Sequence, residues 1–103
     1  MALGVIVNVP MPVDMYDAVH AELLKQSGQA VDGLVLHVGR STSDGFQVIE
    51  VWESREQFAR YYDEVVDPIV DRISGGQAPP ARAQISEEFD VRGLVVPHGD
   101  QAM

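Results

Sequence analysis

Apolar positions along the chain switch between a period of two and a spacing of three to four, and these switches mark out alternating strands and helices. Val5, Val7 and Val9 alternate with Gly4, Ile6 and Asn8, so residues 3–9 read as a strand; apolar side chains at both parities place it centrally, covered on two faces. Pro10 and Pro12 stop it, because proline has no N–H for the ladder. Tyr16, Val19, Leu23 and Leu24 then follow helical spacing over residues 13–27. Asp14 and Asp17 suit the positive end of that helix, and Gly28 is its natural stop. Residues 33–39 and 46–53 read as two further strands around Ser41-Thr42-Ser43-Asp44-Gly45, where the Asp-Gly pair signals a tight hairpin.

Ser54 opens a second helix, with Gln57 at the spacing of a capping box. Phe58, Tyr61, Tyr62, Val65, Val66, Ile69 and Ile73 form its apolar stripe, and Pro68 should kink it or end its first section. Residues 74–80 are a loop on composition. Residues 82–96 are the last extended region, as one bent strand or two short ones, with Gly93 as a candidate bulge. The order strand, helix, strand, strand, helix, strand predicts an α+β, ferredoxin-like βαββαβ domain: a four-stranded antiparallel sheet with two helices on one face. Residues 1–97 would form this single domain and residues 98–103 a loose tail. Apolar residues at both parities, Val35 with Leu36 and Val48 with Ile49, require cover for the second face. A second copy in a two-fold dimer supplies it most cheaply, closing a dimeric α/β barrel.

Composition narrows the partners. The 103 residues hold 16 acidic and 7 basic side chains, a formal net charge of −9, so phosphate backbones and anionic membranes are poor partners. With no cysteine, disulfides, thiolate metal sites and cysteine nucleophiles are excluded. His20, His37 and His98 lack the spacing of metal ligands, and no Gly-rich phosphate loop, dinucleotide fingerprint or Gly-x-Ser-x-Gly elbow occurs. No metal and no cofactor is therefore expected. The apolar run of the N-terminus is too short for a signal-peptide core, and no segment reaches membrane-spanning length. A cytoplasmic location is the expectation.

Gly33-Leu34-Val35-Leu36-His37-Val38, a polar turn, and then Phe46-Gln47-Val48-Ile49-Glu50-Val51-Trp52-Glu53-Ser54 running on to Phe58 resemble the dimeric α/β-barrel superfamily. Within it the chain is most similar to the antibiotic-biosynthesis-monooxygenase-like branch. The resemblance implies a homodimer with an apolar pocket between sheet and helices in each subunit. It also implies a range of activities: cofactor-free oxygenation of polycyclic aromatics, haem degradation, or isomerisation and lysis of small organic acids. Haem degradation is disfavoured. Asn8 stands where that branch has its strand asparagine, but Tyr61 stands in place of its tryptophan and Val70 in place of its iron-binding histidine.

His37 carries the strongest chemical signal. A loop of Ser43-Asp44 sets it opposite Glu50, a loop of Asp44-Gly45 opposite Trp52, and either way His37, Val48, Glu50 and Trp52 share a face. An imidazole beside a carboxylate in a partly dry pocket suits general acid–base work, although a purely structural pair fits the same pattern. Trp52, Phe58, Tyr61 and Tyr62, with Tyr16 from the first helix, suit a flat apolar or aromatic ligand, or simply a core. His20, one helical turn beyond Tyr16, could face the same cavity, but the solvent side is the expectation. His37, Glu50 and Asn8 are thus the candidate catalytic residues, and the five aromatics the candidate substrate contacts. The leading expectation is a cofactor-independent monooxygenase of an aromatic, polyketide-like substrate. The alternatives are a cyclase, isomerase or lyase using His37, and a non-catalytic dimeric ligand-binding module.

Overall fold

The structure, a computed structural model, describes residues 2–27, 31–79 and 81–95. Strand β1 (Leu3–Val9) leads into helix α1 (Val13–Ser27), and the hairpin of β2 (Leu34–Ser41) and β3 (Phe46–Trp52) follows. Helix α2 (Arg55–Tyr61) continues through a π-helical turn (Tyr62–Val66) into α3 (Asp67–Ser74), and a 3₁₀ turn (Ala81–Gln84) precedes β4 (Ile85–Asp90). The strands form one antiparallel sheet in the order β2-β3-β1-β4, the ferredoxin-like arrangement expected from the element order.

The register decides which side chains reach the helices. β1 sets Val5 opposite Glu50, Val7 opposite Val48 and Val9 opposite Phe46, so the odd positions of β1 and the even positions of β3 share the helix-facing side. Val5, Val7, Phe46, Val48 and Trp52 are buried there with Phe58, Tyr62 and Val66. Ile6, Leu36, Val38 and Ile49 take the other side, together with Phe89, which pairs with Gly4. Val38 is 42% exposed among the described residues.

Ser54 caps α2, its Oγ accepting from the Gln57 N–H at 3.2 Å. The other half of the expected box differs. The Gln57 side-chain oxygen accepts from the Ser54 hydroxyl at 2.9 Å instead of reaching the Ser54 backbone. Pro68 neither ends nor sharply breaks the helix. Lacking an N–H, it cannot bond four residues back, and the chain widens ahead of it, with the Asp67 N–H bonding to the Tyr62 carbonyl five residues back.

The hairpin forms where Asp-Gly predicts it, for a different reason. Its loop is Ser43-Asp44, closed by Thr42 N–H to Gly45 O at 2.9 Å and Gly45 N–H to Thr42 Oγ1 at 3.1 Å. Gly45 does not have positive φ. It is glycine because a Cβ there would stand 2.2 Å from the Val9 carbonyl oxygen and 2.7 Å from that of Met11. The final extended region is shorter than the pattern suggested. β4 ends at Asp90, residues 91–95 have no regular structure, and the irregularity in the pairing of β4 with β1 lies opposite Ile6/Val7 rather than at Gly93. The expected helix stop at Gly28, His98 and the expected tail lie outside the described residues.

Candidate functional site

The centre of the sheet carries an acid. Glu50 is 4% exposed and sits on β3 between Val48 and Trp52, on the face the helices cover. Stripping a carboxylate of water costs several kcal/mol, and only directed donors offset it. Glu50 has three. Its Oε1 accepts from Trp52 Nε1–H at 2.9 Å and from the Tyr62 hydroxyl at 2.8 Å. Its Oε2 accepts from His37 Nδ1–H at 2.6 Å. Donors to a charged group are worth about 1.5–3 kcal/mol each, so three together balance the burial and the loss of one leaves a deficit.

Local structure delivers each donor. The Ser43-Asp44 loop puts His37 directly opposite Glu50, the first of the two registers left open by the sequence. An irregularity between Leu34 and Leu36 shifts the remainder of β2 relative to β3. Trp52 lies two residues along the same strand face, and Tyr62 heads the π turn. Burial, then the Glu50 charge and the hydrogen bond to it, push the Tyr62 hydroxyl well above the ordinary phenol value of 10.0. Tyr62 is therefore a fixed neutral donor.

The network continues toward solvent. His37, with 23% of its side chain exposed, places Nε2 2.7 Å from the Tyr16 hydroxyl. Beside an ionised Glu50, which can only accept, the neutral ring carries its proton on Nδ1 and turns the Nε2 lone pair to Tyr16. Burial, then the charges of Glu50 and Asp17, raise the Tyr16 hydroxyl above 10.0. The Tyr16 ring lies over Gly39 of β2, where a Cβ would stand 2.2 Å from Cζ and 2.3 Å from Oη.

His37, Glu50, Tyr16, Trp52 and Tyr62 are thus brought into one hydrogen-bonded chain. Trp52, Phe58 and Tyr62 act as core: their exposures are 0%, 2% and 5%. Their rings pack with centroids 4.8–5.9 Å apart in the Trp52–Phe58 and Phe58–Tyr62 pairs. Tyr61, half-buried, sits 5.6 Å from Trp52. Asn8 stands apart, on the opposite face of β1, where its Oδ1 accepts from Gln47 Nε2 at 2.8 Å. Gln47 in turn accepts from Arg40.

His20 is the residue that the sequence reading assigned to solvent and the structure assigns to the site. It is half-buried, its ring centroid 5.4 Å from Tyr16 and 5.5 Å from His37, with all three ring planes within 13° of parallel. Its place four residues after Tyr16 was the available signal. Two surface grooves lie away from this network. One of about 360 Å³ is lined by Ala2, Leu3, Arg55, Glu88, Phe89 and Asp90. The other, of about 290 Å³, lies at Pro68, Ile69 and Arg72. Among the described residues no group of three or more His, Cys, Asp or Glu could hold a metal ion, and no helix is long and apolar enough to cross a membrane.

Tyr62→Phe keeps the ring and deletes one donor, and should cost about 2 kcal/mol in urea unfolding near neutral pH. The raised Tyr62 value also sets a sign. Its contribution is complete below the unfolded-state phenol value and is lost as pH rises through the folded-state one, because only the unfolded chain ionises there. Between about pH 10 and 11 the wild type should lose stability more steeply than Tyr62→Phe.

No protein-family model matches this chain, and no curated protein matches it. Among solved structures, the crystal structure of a protein from Chloroflexus aurantiacus J-10-fl, described as a candidate antibiotic biosynthesis monooxygenase, shares its architecture. The TM-score is 0.56 at 18% identity, over 98% of this chain and 100% of the other. That likeness bears out the ferredoxin-like fold and, at the level of fold, the resemblance carried by the β2–β3 hairpin and the start of α2.

Proposed function

We propose that this protein is a small-molecule enzyme whose base is His37 backed by Glu50, acting on a polycyclic phenol. The observation that carries this reading is the His37 ring held at 2.6 Å from a buried carboxylate and at 2.7 Å from a hydroxyl, on the rim of an apolar core. A carboxylate fixing Nδ1–H makes the far nitrogen the acceptor and stabilises the imidazolium that proton transfer creates. The description of the Chloroflexus neighbour as a candidate monooxygenase supports the oxygenase form of the reading.

The balance of that form is simple. Removal of the phenolic proton leaves an electron-rich anion that is its own reductant toward dioxygen. One ring C–H and the O–H are lost, one oxygen atom becomes the second carbonyl of a quinone, and the other leaves as water. A second reading is favoured by the Tyr16 hydroxyl beside the base, a neutral donor suited to returning a proton at another atom. In that form the enzyme cyclises or isomerises its substrate without oxygen. Both begin with the same deprotonation.

The proposal includes a homodimer. The far face of the sheet presents Ile6, Leu36, Val38, Ile49 and Phe89, and a second copy of the same face would cover them. Its sedimentation mass should be that of two chains, and a monomer at micromolar concentration contradicts this part.

A panel of naphthols and hydroxyanthracenes, incubated with the protein in an oxygen electrode, tests the chemistry. Oxygen uptake matched one-to-one by quinone, and lost in His37→Gln, supports the oxygenase. His37-dependent conversion without uptake supports the second form. Conversion indifferent to His37→Gln, or binding with no conversion, overturns both.

A further inference from the structure

Both nitrogens of His37 are occupied. Nδ1–H donates to Glu50 Oε2 at 2.6 Å, and the one lone pair on Nε2 accepts from the Tyr16 hydroxyl at 2.7 Å. A base in this state has no lone pair left for a substrate. Either Tyr16 moves aside or the proton travels through it.

The packing of Tyr16 decides between these. Its ring is pressed against the β2 backbone at Gly39, where even a methyl group would overlap Cζ and Oη. Phe46 lies against it at 5.4 Å with planes tilted by 57°, and His20 lies at 5.4 Å on a nearly parallel plane. A side chain held on these sides keeps its hydroxyl in place. A phenol oxygen that donates one hydrogen bond can still accept another. The half-buried ring of His20 beside it gives a flat aromatic molecule a surface to lie against.

We propose that Tyr16 is the catalytic residue that touches substrate, relaying its proton to His37. The proposal rests on the base assigned above and adds the route. The bond from substrate to its proton breaks as that proton joins Tyr16 Oη, and the proton already on Oη passes to His37 Nε2. The substrate leaves as an anion, Tyr16 ends neutral, and His37 becomes an imidazolium facing the Glu50 carboxylate. Burial and the Glu50 charge keep the Tyr16 hydroxyl protonated past the ordinary phenol range, so a standing tyrosinate is not the base. Gly39 is the positioning residue: it is small so that Oη can reach Nε2.

The carbon acid 5-nitrobenzisoxazole, a flat aromatic probe, reports base action directly. Loss of its C–H proton opens the N–O bond and releases a coloured cyanonitrophenolate. The wild-type chain should accelerate this opening, His37→Gln should abolish the acceleration, and Tyr16→Phe should lower kcat/KM by about a hundredfold while unfolding at a similar temperature. Gly39→Ala, which displaces Oη, should lower kcat and narrow the pH profile with the fold retained. A Tyr16→Phe rate equal to or above wild type overturns the relay and leaves His37 as a base that meets substrate itself. A Tyr16→Phe loss with His37→Gln fully active overturns it as well. No His37-dependent rate in the wild type removes both the relay and the base assignment. Should Tyr16→Phe fail to fold, the wild-type rate in mixtures of light and heavy water decides: the carbon-bound proton of the probe does not exchange, so the relay moves one solvent-derived proton and the rate falls in a straight line with deuterium fraction, whereas a rate indifferent to deuterium overturns the relay.

Discussion

A carboxylate withdrawn from water costs several kcal/mol, and the protein places one, Glu50, in the middle of its sheet at 4% exposure. The surrounding architecture supplies what that acid needs. Trp52 and Tyr62 saturate one oxygen and His37 the other. Removing the acid alone would strand a tryptophan N–H and a tyrosine O–H inside the core, while removing a donor would leave the acid short of partners. The network therefore holds three elements together: β2 through His37, β3 through Glu50 and Trp52, and the helical arm through Tyr62. It also points outward, since the far nitrogen of His37 meets Tyr16 of α1 near the surface.

Such a network depends on register. A one-residue slip of β2 against β3 would turn His37 away from Glu50 and toward the opposite face. The hairpin loop prevents this through Gly45, whose missing Cβ lets the β1–α1 connection cross within contact of its backbone. Tyr62 depends on the π turn, where the missing N–H of Pro68 and the bond from Asp67 to Tyr62 widen the helix.

Much of this was legible in the sequence. Strand and helix limits follow from period and punctuation, and β1 and α1 occupy the expected residues 3–9 and 13–27. That His37, Glu50 and Trp52 share a face follows from a short hairpin and a period of two, but the sequence leaves two registers open, and the close approach of the Val9 and Met11 carbonyls to Gly45 accompanies the one that sets His37 opposite Glu50. The Tyr62 bond to Glu50 was not legible, since an unbroken helix and one with a π turn carry the same apolar stripe. Asn8 was misplaced relative to His37 because only the long-range pairing of Val5 with Glu50 fixes which side of β1 faces the helices. His20 was read as a polar residue on an amphipathic helix. Its spacing from Tyr16 brings those two rings together, but His37 lies on another element and only the packing of α1 on the sheet adds it to the stack.

The direction in which His37 is held decides what its far nitrogen can do. Glu50 accepts from Nδ1–H and Tyr16 donates to Nε2, so the neutral ring must carry its proton on Nδ1, the reverse of the form a free imidazole prefers. A long-range proton–nitrogen correlation spectrum of the wild-type chain at about pH 8 reads this directly. The predicted result is a His37 signal with Nδ1 protonated and Nε2 bare. A His37 ring protonated at Nε2 would contradict it, because neither the carboxylate nor the tyrosine would then hold the ring as described.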